Sequence, residues 1–204
     1  MKKFTIITLC FLLINNVFSQ LDKIVQLEKI KAFQDELNTQ FADPKESPLE
    51  DKDRMNFKEL EFFPANLDFC FVAKLARTPQ AIPFMMQRTK DQVKYVKYGD
   101  ATFSYQGRNY TVELYQNLDL IARNPDFKTH LFLPFTDLTN GSSTYGGGRY
   151  IDLKIPDGGD IVIDFNQSYN PYCAYNKKYS CPIPPRENDL KIAIEAGVKA
   201  FGKH

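Results

Sequence analysis

The stretch Ala101-Thr-Phe-Ser-Tyr-Gln-Gly-Arg-Asn-Tyr-Thr-Val-Glu-Leu114 decides the fold. Ala101, Phe103 and Tyr105 alternate with Thr102 and Ser104, and Tyr110, Val112 and Leu114 alternate with Thr111 and Glu113. A period of two places one set of side chains on each face of a half-buried strand. Between the two runs, Gln106-Gly-Arg-Asn109 supplies hairpin chemistry. Upstream, Leu67, Phe69, Phe71, Ala73 and Leu75 share one face while Asp68, Cys70, Val72 and Lys74 share the other, which predicts a further strand. Gly99-Asp100 predicts a tight turn after a strand over Val93 to Tyr98. Downstream, short strands are expected at His130 to Leu133, Arg149 to Leu153 and Asp160 to Asp164, the last two joined across Pro156-Asp-Gly-Gly159. Seventeen Phe and 11 Tyr, with no Trp, suit the interior of such a sheet.

The period changes at both ends of the chain. From residue 21 to about residue 39, Ile24, Leu27, Ile30, Phe33 and Leu37 recur at steps of three or four, the pattern of an amphipathic helix with one docking stripe. Asp43-Pro44 ends it, and a second short turn or helix is expected from Ser47-Pro-Leu49 to about Phe57, with Glu50, Asp51 and Asp53 at its positive end. A C-terminal helix is expected from about Asp189 to Val198, capped by Asn188. The fold class is α+β: an antiparallel sheet that curls toward a barrel or half-barrel, with helices at both ends. No repeat or linker divides the chain, so residues 20–204 read as one globular domain.

Residues 1–19 read as a cleavable secretory signal. Lys2 and Lys3 precede an apolar run from Phe4 to Leu13, then polar Asn15-Asn16, then Val17-Phe-Ser19 with modest side chains at the positions a signal peptidase inspects. The apolar run is too short to span a bilayer, which takes about 20 residues. Cleavage removes two of the 26 basic residues and leaves the 25 acidic ones, a net charge near −1. That balance excludes a nucleic-acid or membrane-surface role built on charge. The expected location is a periplasm or the extracellular space.

The stretch from Phe135 to Asn188 is the most motif-like. It carries Phe135-Thr-Asp-Leu-Thr-Asn-Gly-Ser-Ser-Thr-Tyr-Gly-Gly-Gly-Arg-Tyr-Ile-Asp-Leu153, Asp164-Phe-Asn166, Tyr169-Asn-Pro-Tyr-Cys-Ala-Tyr175 and Cys181-Pro-Ile-Pro-Pro-Arg-Glu-Asn188. These motifs closely resemble the domain of unknown function family 1684. The N-terminal helix, Ser47-Pro-Leu49 and Phe62-Phe-Pro64 resemble it more loosely. The resemblance implies an exported bacterial protein with no established activity. Where the family pattern has Ala-Gly-Glu-Lys, this chain has Ala196-Gly-Val-Lys199, so no role passes to a glutamate there.

Read from its residues alone, Gly141 to Gly148 is a glycine-rich loop entering a strand at Arg149. It either cradles an anion, with Arg149 as a bidentate partner, or forms a turn over a buried arginine–carboxylate pair. It lacks the Lys-Ser/Thr of a nucleotide-binding loop. Asp164, Asn166, Asn170, Glu187 and Asn188 lie among Tyr145, Tyr150, Tyr169, Tyr172 and Tyr175. Aromatic walls with a few polar groups describe a ligand pocket and equally a loop scaffold pinned by its amides. The candidate binding residues are therefore Tyr145, Arg149, Asp164, Asn166, Asn170, Glu187 and Asn188. They fit a small polar or anionic ligand; the alternatives are an exported hydrolase or isomerase using carboxylate and tyrosine chemistry at the same place, or a structural module.

Cys173 and Cys181, in a proline-rich loop of an exported chain, read as a disulfide, with a free or redox-active pair as the alternative. Cys70 is then a semi-buried free thiol, or a partner to one of the two. The chain has only two histidines, His130 and His204, which supplies zinc or triad chemistry poorly, and His130 reads as structural. Asp137, Asp152, Asp164 and Glu187 have no metal-loop spacing. No cofactor motif is present.

Overall fold

The computed structural model describes residues 3–202 of the chain, with side chains from Asp22 onward. The signal reading over residues 1–19, with Cys10, rests on side chains outside the described ones, and His204 lies outside them too. Ten elements run in order: α1 (Lys3–Ala42), α2 (Asp51–Arg54), β1 (Cys70–Arg77), β2 (Phe84–Gln87), β3 (Gln92–Tyr105), β4 (Arg108–Asn117), α3 (Leu118–Arg123), β5 (His130–Phe135), β6 (Arg149–Lys154) and β7 (Asp160–Asp164). Single helical turns fill several of the connections. No described helix is long and apolar enough to cross a membrane.

The strands form a seven-stranded antiparallel sheet in the order β6-β5-β4-β3-β1-β7, with β2 added to β3. The sheet curls into a half-barrel. Its two end strands, β6 and β7, are consecutive in sequence, so the short connection through Pro156 and Gly159 spans the open side. The concave face holds the principal core: Phe71 and Ala73 of β1, Ala101 and Phe103 of β3, Val112 and Leu114 of β4, with Leu131, Leu133, Ile151 and Ile163 from the later strands. Stacked or edge-on contacts among Phe71, Phe103, Phe135 and Phe165 fill it.

The hairpin forms as its sequence predicts. Gln106 and Gly107 both adopt positive φ, at 49° and 75°, the mirror-image turn whose twist matches the strands it joins. Gly99, by contrast, is no turn. It lies inside the continuous β3, where the register with β4 shifts between Lys97 and Gly99. A Cβ at Gly99 would sit 2.5 Å from the Ala76 carbonyl oxygen, so the glycine admits a close backbone approach at a bulge. β2 and α3 were not foreseen from the sequence.

The N-terminal helix docks through Ile30, Leu37 and Phe41, while Ile24 and Leu27 stay exposed. Its buried stripe meets loops instead of the sheet core: Phe41 packs edge-on to Tyr175, 4.7 Å between ring centroids, and Asn38 accepts the Leu60 amide at 2.7 Å.

The expected C-terminal helix does not exist. After a single turn at Arg186–Asn188, residues 189–199 run as irregular extended chain, with bridges Thr136–Asp189 and Phe62–Val198. Leu190, Ile194, Ala196 and Val198 are buried and Ile192 packs on the core, so the apolar period here is two, not 3.6. Asn188 is no helix cap. Its side chain bonds the Glu113 amide (2.7 Å) and the carbonyls of Glu113 (2.9 Å) and Pro134 (2.8 Å). Only Tyr115 and Phe132 pair in the β4–β5 ladder, and the Asn188 amide fills the place that Pro134, without an N–H, leaves open.

Cys70 is a half-buried free thiol in β1, opposite Asp164 of β7. Burial, then the Asp164 carboxylate, pushes the thiol up to about 11, against a smaller opposing effect of Lys29. Its thiolate fraction near pH 8 should be about a hundredfold below that of an unperturbed cysteine, and maleimide labelling correspondingly slow. Labelling rates followed from pH 7 to 11 test this, and Asp164→Asn should speed the reaction.

Candidate functional site

Alternation along β5 and β6 sorts the motif residues into two environments. Leu131, Leu133 and Phe135 of β5, with Arg149 and Ile151 of β6, point into the core. His130 and Phe132, with Tyr150 and Asp152, point to the opposite face. Arg149 therefore belongs to the interior and its neighbour Tyr150 to the exterior.

Arg149 is fully buried. Its Nη2 donates to Asp137 Oδ2 (2.9 Å) and the Ile194 carbonyl (2.8 Å); Nη1 donates to the carbonyls of Ala196 and Val198. Carbonyls of alternate residues in an extended chain project to one side, so Ile194, Ala196 and Val198 present a row that a helix would have consumed internally. The partner of Arg149 is thus Asp137, not Asp164 or Glu187. Burial lowers the arginine's proton affinity, and Asp137 opposes the shift.

The other sequence candidates do not converge on Arg149. Asp164 accepts from the Asn166 amide and side chain (3.0 and 2.7 Å) and from Gln26 (2.6 Å). Asn166 exchanges two 2.8 Å bonds with the Asn66 backbone. Asn170 donates to Tyr175 Oη (3.2 Å) and the Lys199 carbonyl (2.9 Å), while its Oδ1 is buried without a partner. Glu187 is exposed. Of these residues only Tyr145 borders a described cavity, an open hollow of about 730 Å³ along the glycine-rich loop.

A second, aromatic cleft lies on the opposite face of β5 and β6. It measures about 410 Å³. Tyr95, Phe132, Tyr150 and Tyr169 form one part of its wall, and Tyr172, Tyr179, Cys181 and Pro182 another; Arg88, His130 and Asp152 supply charge and polarity. Phe132 stands directly across the ladder from Asp152, and His130 reaches the same carboxylate diagonally. Asp152 joins the polar groups: His130 Nε2 lies 2.8 Å from Oδ1, and Tyr169 Oη donates to Oδ2 at 2.6 Å. Tyr150 donates to the Pro182 carbonyl, and Tyr95 Oη accepts from Asn117 (3.1 Å). Burial, foremost, holds the phenols of Tyr95, Tyr150, Tyr169 and Tyr172 above their ordinary range, so at neutral pH all four are neutral. Among the described residues no three His, Cys, Asp or Glu side chains converge as a metal site.

One wall is the 172–182 loop, closed by the Cys173–Cys181 disulfide, Cα–Cα 6.1 Å. The β2–β3 turn clamps it: Thr89 N–H donates to the Cys181 carbonyl (3.0 Å), Ser180 Oγ to Asp91 (2.6 Å) and Lys90 Nζ to the Lys177 carbonyl (2.6 Å). A pair so placed is one that an oxidising environment keeps bonded. Cys173→Ser with Cys181→Ser should cost about 2.6 kcal/mol by the loop-closure relation, somewhat less because the clamp persists. Urea midpoints of the two proteins, compared without reductant, check the figure.

Sequence reading placed Tyr150, Tyr169 and Tyr172 in an aromatic wall, but it did not find Arg88, Tyr95 or Phe132. The usable signal was the alternation itself. On β6, Tyr150 and Asp152 share the face opposite Ile151, whereas β5 is apolar from Leu131 to Phe135 and carries no such signal.

Fold and site together define a curled antiparallel half-barrel whose outer face carries a disulfide-braced aromatic cleft. The chain belongs to the family described as "Protein of unknown function (DUF1684)", whose model matches residues 55–199. The match reaches well upstream of the motif-rich segment and leaves α1 outside. No curated protein matches the sequence. The solution NMR structure of an uncharacterized protein from Haloarcula marismortui is similar, with 28% identity and a TM-score of 0.69 over 90% of this chain and 98% of that one. That relative is archaeal, so the likeness is not confined to bacteria.

Proposed function

We propose that the protein is exported and binds a small polar or charged organic ligand in the aromatic cleft on the outer face of β5 and β6. One observation carries the reading. The cleft combines aromatic walls with Arg88 and Asp152 in a concavity of about 410 Å³, the size and mixture of small-molecule sites. The disulfide in its wall and the N-terminal signal pattern support an oxidising compartment. A panel of benzoate, glutamate, glycine betaine, choline and inorganic phosphate, titrated into isotope-labelled protein, should include members that shift the amide resonances of Phe132, Tyr150 and Tyr169. Asp152→Asn, which keeps an acceptor for the Tyr169 hydroxyl, should weaken such binding about tenfold. A cleft untouched by every panel member would remove the proposal.

A second reading, an exported hydrolase or isomerase at the same cleft, rests on one contact. Asp152 orients His130 at 2.8 Å, the arrangement that fixes a histidine tautomer for proton transfer. The neutral phenols count against tyrosinate as its base. Turnover of a model ester abolished by His130→Gln would support this reading, and turnover unchanged in that variant would end it.

A further inference from the structure

From the way three hollows adjoin at Asp152, we infer that the cleft is the middle of a longer groove that takes a short neutral oligosaccharide. The inference rests on the binding reading above and narrows it to a ligand class.

On the side of α1, a hollow of about 280 Å³ shares Asp152, Tyr169 and Tyr172 with the cleft. On the side of the turn before β5, another of about 330 Å³ shares Phe127, His130 and Asp152 with it. Asp152 is exposed and borders all three. Adjoining hollows suit a ligand of several units better than one compact molecule. Tyr95, Phe132 and Tyr150 are packed against one another and buried, so the ring surface open to a ligand is that of half-buried Phe127, Tyr169, Tyr172 and Tyr179. Sugar units have apolar C–H faces, which such rings cover.

The polar groups along the groove are of both kinds. Tyr172 Oη accepts from Gln40 Nε2 (2.8 Å), and its own proton has no acceptor among the described residues. Glu36 and Gln40, on the wall that α1 supplies, present carboxylate and amide oxygens. Asp152, with Tyr169 on one oxygen and His130 on the other, keeps lone pairs for further donors. Arg88 borders the cleft, and its Nη1 has no partner among the described residues. A hydroxyl both donates and accepts, so a chain of hydroxyls can satisfy donors and acceptors along the same wall.

Charge and backbone set aside the other elongated ligands. Arg88, His130 and Lys154 border the groove together with Glu36, Asp126 and Asp152, so a polycation or a polyanion would meet like charge along its length. An extended peptide binds by pairing its main chain with a free strand edge. Here β5 and β6 pair with each other, and the Tyr150 N–H and carbonyl are taken by Tyr169.

The test titrates cello-, malto- and chito-oligosaccharides of one to four units into the full, oxidised protein, by calorimetry and by amide resonances. In at least one series, affinity should rise about tenfold or more from one unit to three as the outer hollows fill. The trimer should shift amides of Glu36 to Gln40 and of Phe127 to His130 as well as that of Tyr169. Tyr172→Leu removes a ring shared by two hollows and should weaken the trimer about tenfold. Tyr172→Phe, which loses only the hydroxyl, should weaken it about threefold. Should the leucine variant not fold, the comparison of chain lengths on unmodified protein decides alone. Saccharide binding that is independent of chain length overturns the inference. Binding of spermidine, triglycine or a member of the small-molecule panel above, with every saccharide inert, overturns it and leaves the binding function standing. Silence of all these compounds overturns both.

Discussion

Arg149→Met is expected to lower the unfolding free energy by about 3–5 kcal/mol, a large part of a typical domain's stability. Asp137 would lose its cationic partner at a site where neither side chain has measurable exposure. The carbonyls of Ile194 and Ala196 would lose the donor that holds the C-terminal segment. Asp137→Asn strands the arginine instead. It also weakens the oxygen that accepts from the Thr139 amide, the Thr139 hydroxyl and the Ile194 amide (2.9, 2.6 and 3.1 Å). The two changes share one network, so the double variant should lose less than the sum of the singles. Urea unfolding of all four proteins at constant pH measures the coupling. Adding salt should leave the Arg149 effect intact, because a buried pair is little screened. Additive losses would mean that the residues act separately.

Gly197→Ala should cost about 3 kcal/mol. Gly197 has φ +77°, which an L side chain adopts at a cost of about 1–2 kcal/mol. Its Cβ would fall 2.7 Å from the Phe165 carbonyl oxygen and 2.8 Å from that of Ser168, backbone atoms that give way only by moving the turn after β7. Gly158→Ala is the control, since nothing lies within 4 Å of that position and its φ is not positive; its midpoint should move by less than about 0.5 kcal/mol. A Gly197 variant as stable as the control would mean that the segment rearranges freely. The comparison also bears on the sequence motif: in Ala196-Gly-Val-Lys199 the glycine is required by the backbone, and Val198 is buried.

Much of the sheet was legible because alternation is a local property. Phe69, Phe71 and Ala73 are buried and Val72 is exposed, as a period of two requires, and the hairpin at Gln106-Gly107 needs only its own torsions. Gly99 misled because a glycine that permits a turn also permits a bulge, and the choice between them depends on the Ala76 carbonyl from another strand. The C-terminal segment misled for a different reason. Its alternating Leu190, Ile192, Ile194, Ala196 and Val198 were readable as extended chain, but charged residues between them and an Asn cap imitate a helix.

The candidate site divides along the same line. By itself the sequence determined which residue types lie together in the chain: the tyrosines, the amides, the arginine and the paired cysteines of residues 135–188. Only the tertiary structure decided which of them meet. Strand geometry sends Arg149 inward to Asp137 and Tyr150 outward to the cleft, although they are neighbours in sequence. Arg88 and Tyr95 join Tyr150 from a distant part of the chain because β2 and β3 lie beside the loop closed by Cys173 and Cys181. The pairing of a strand face with a remote loop depends on long-range ladders and buried area, and no local pattern of residues encodes it.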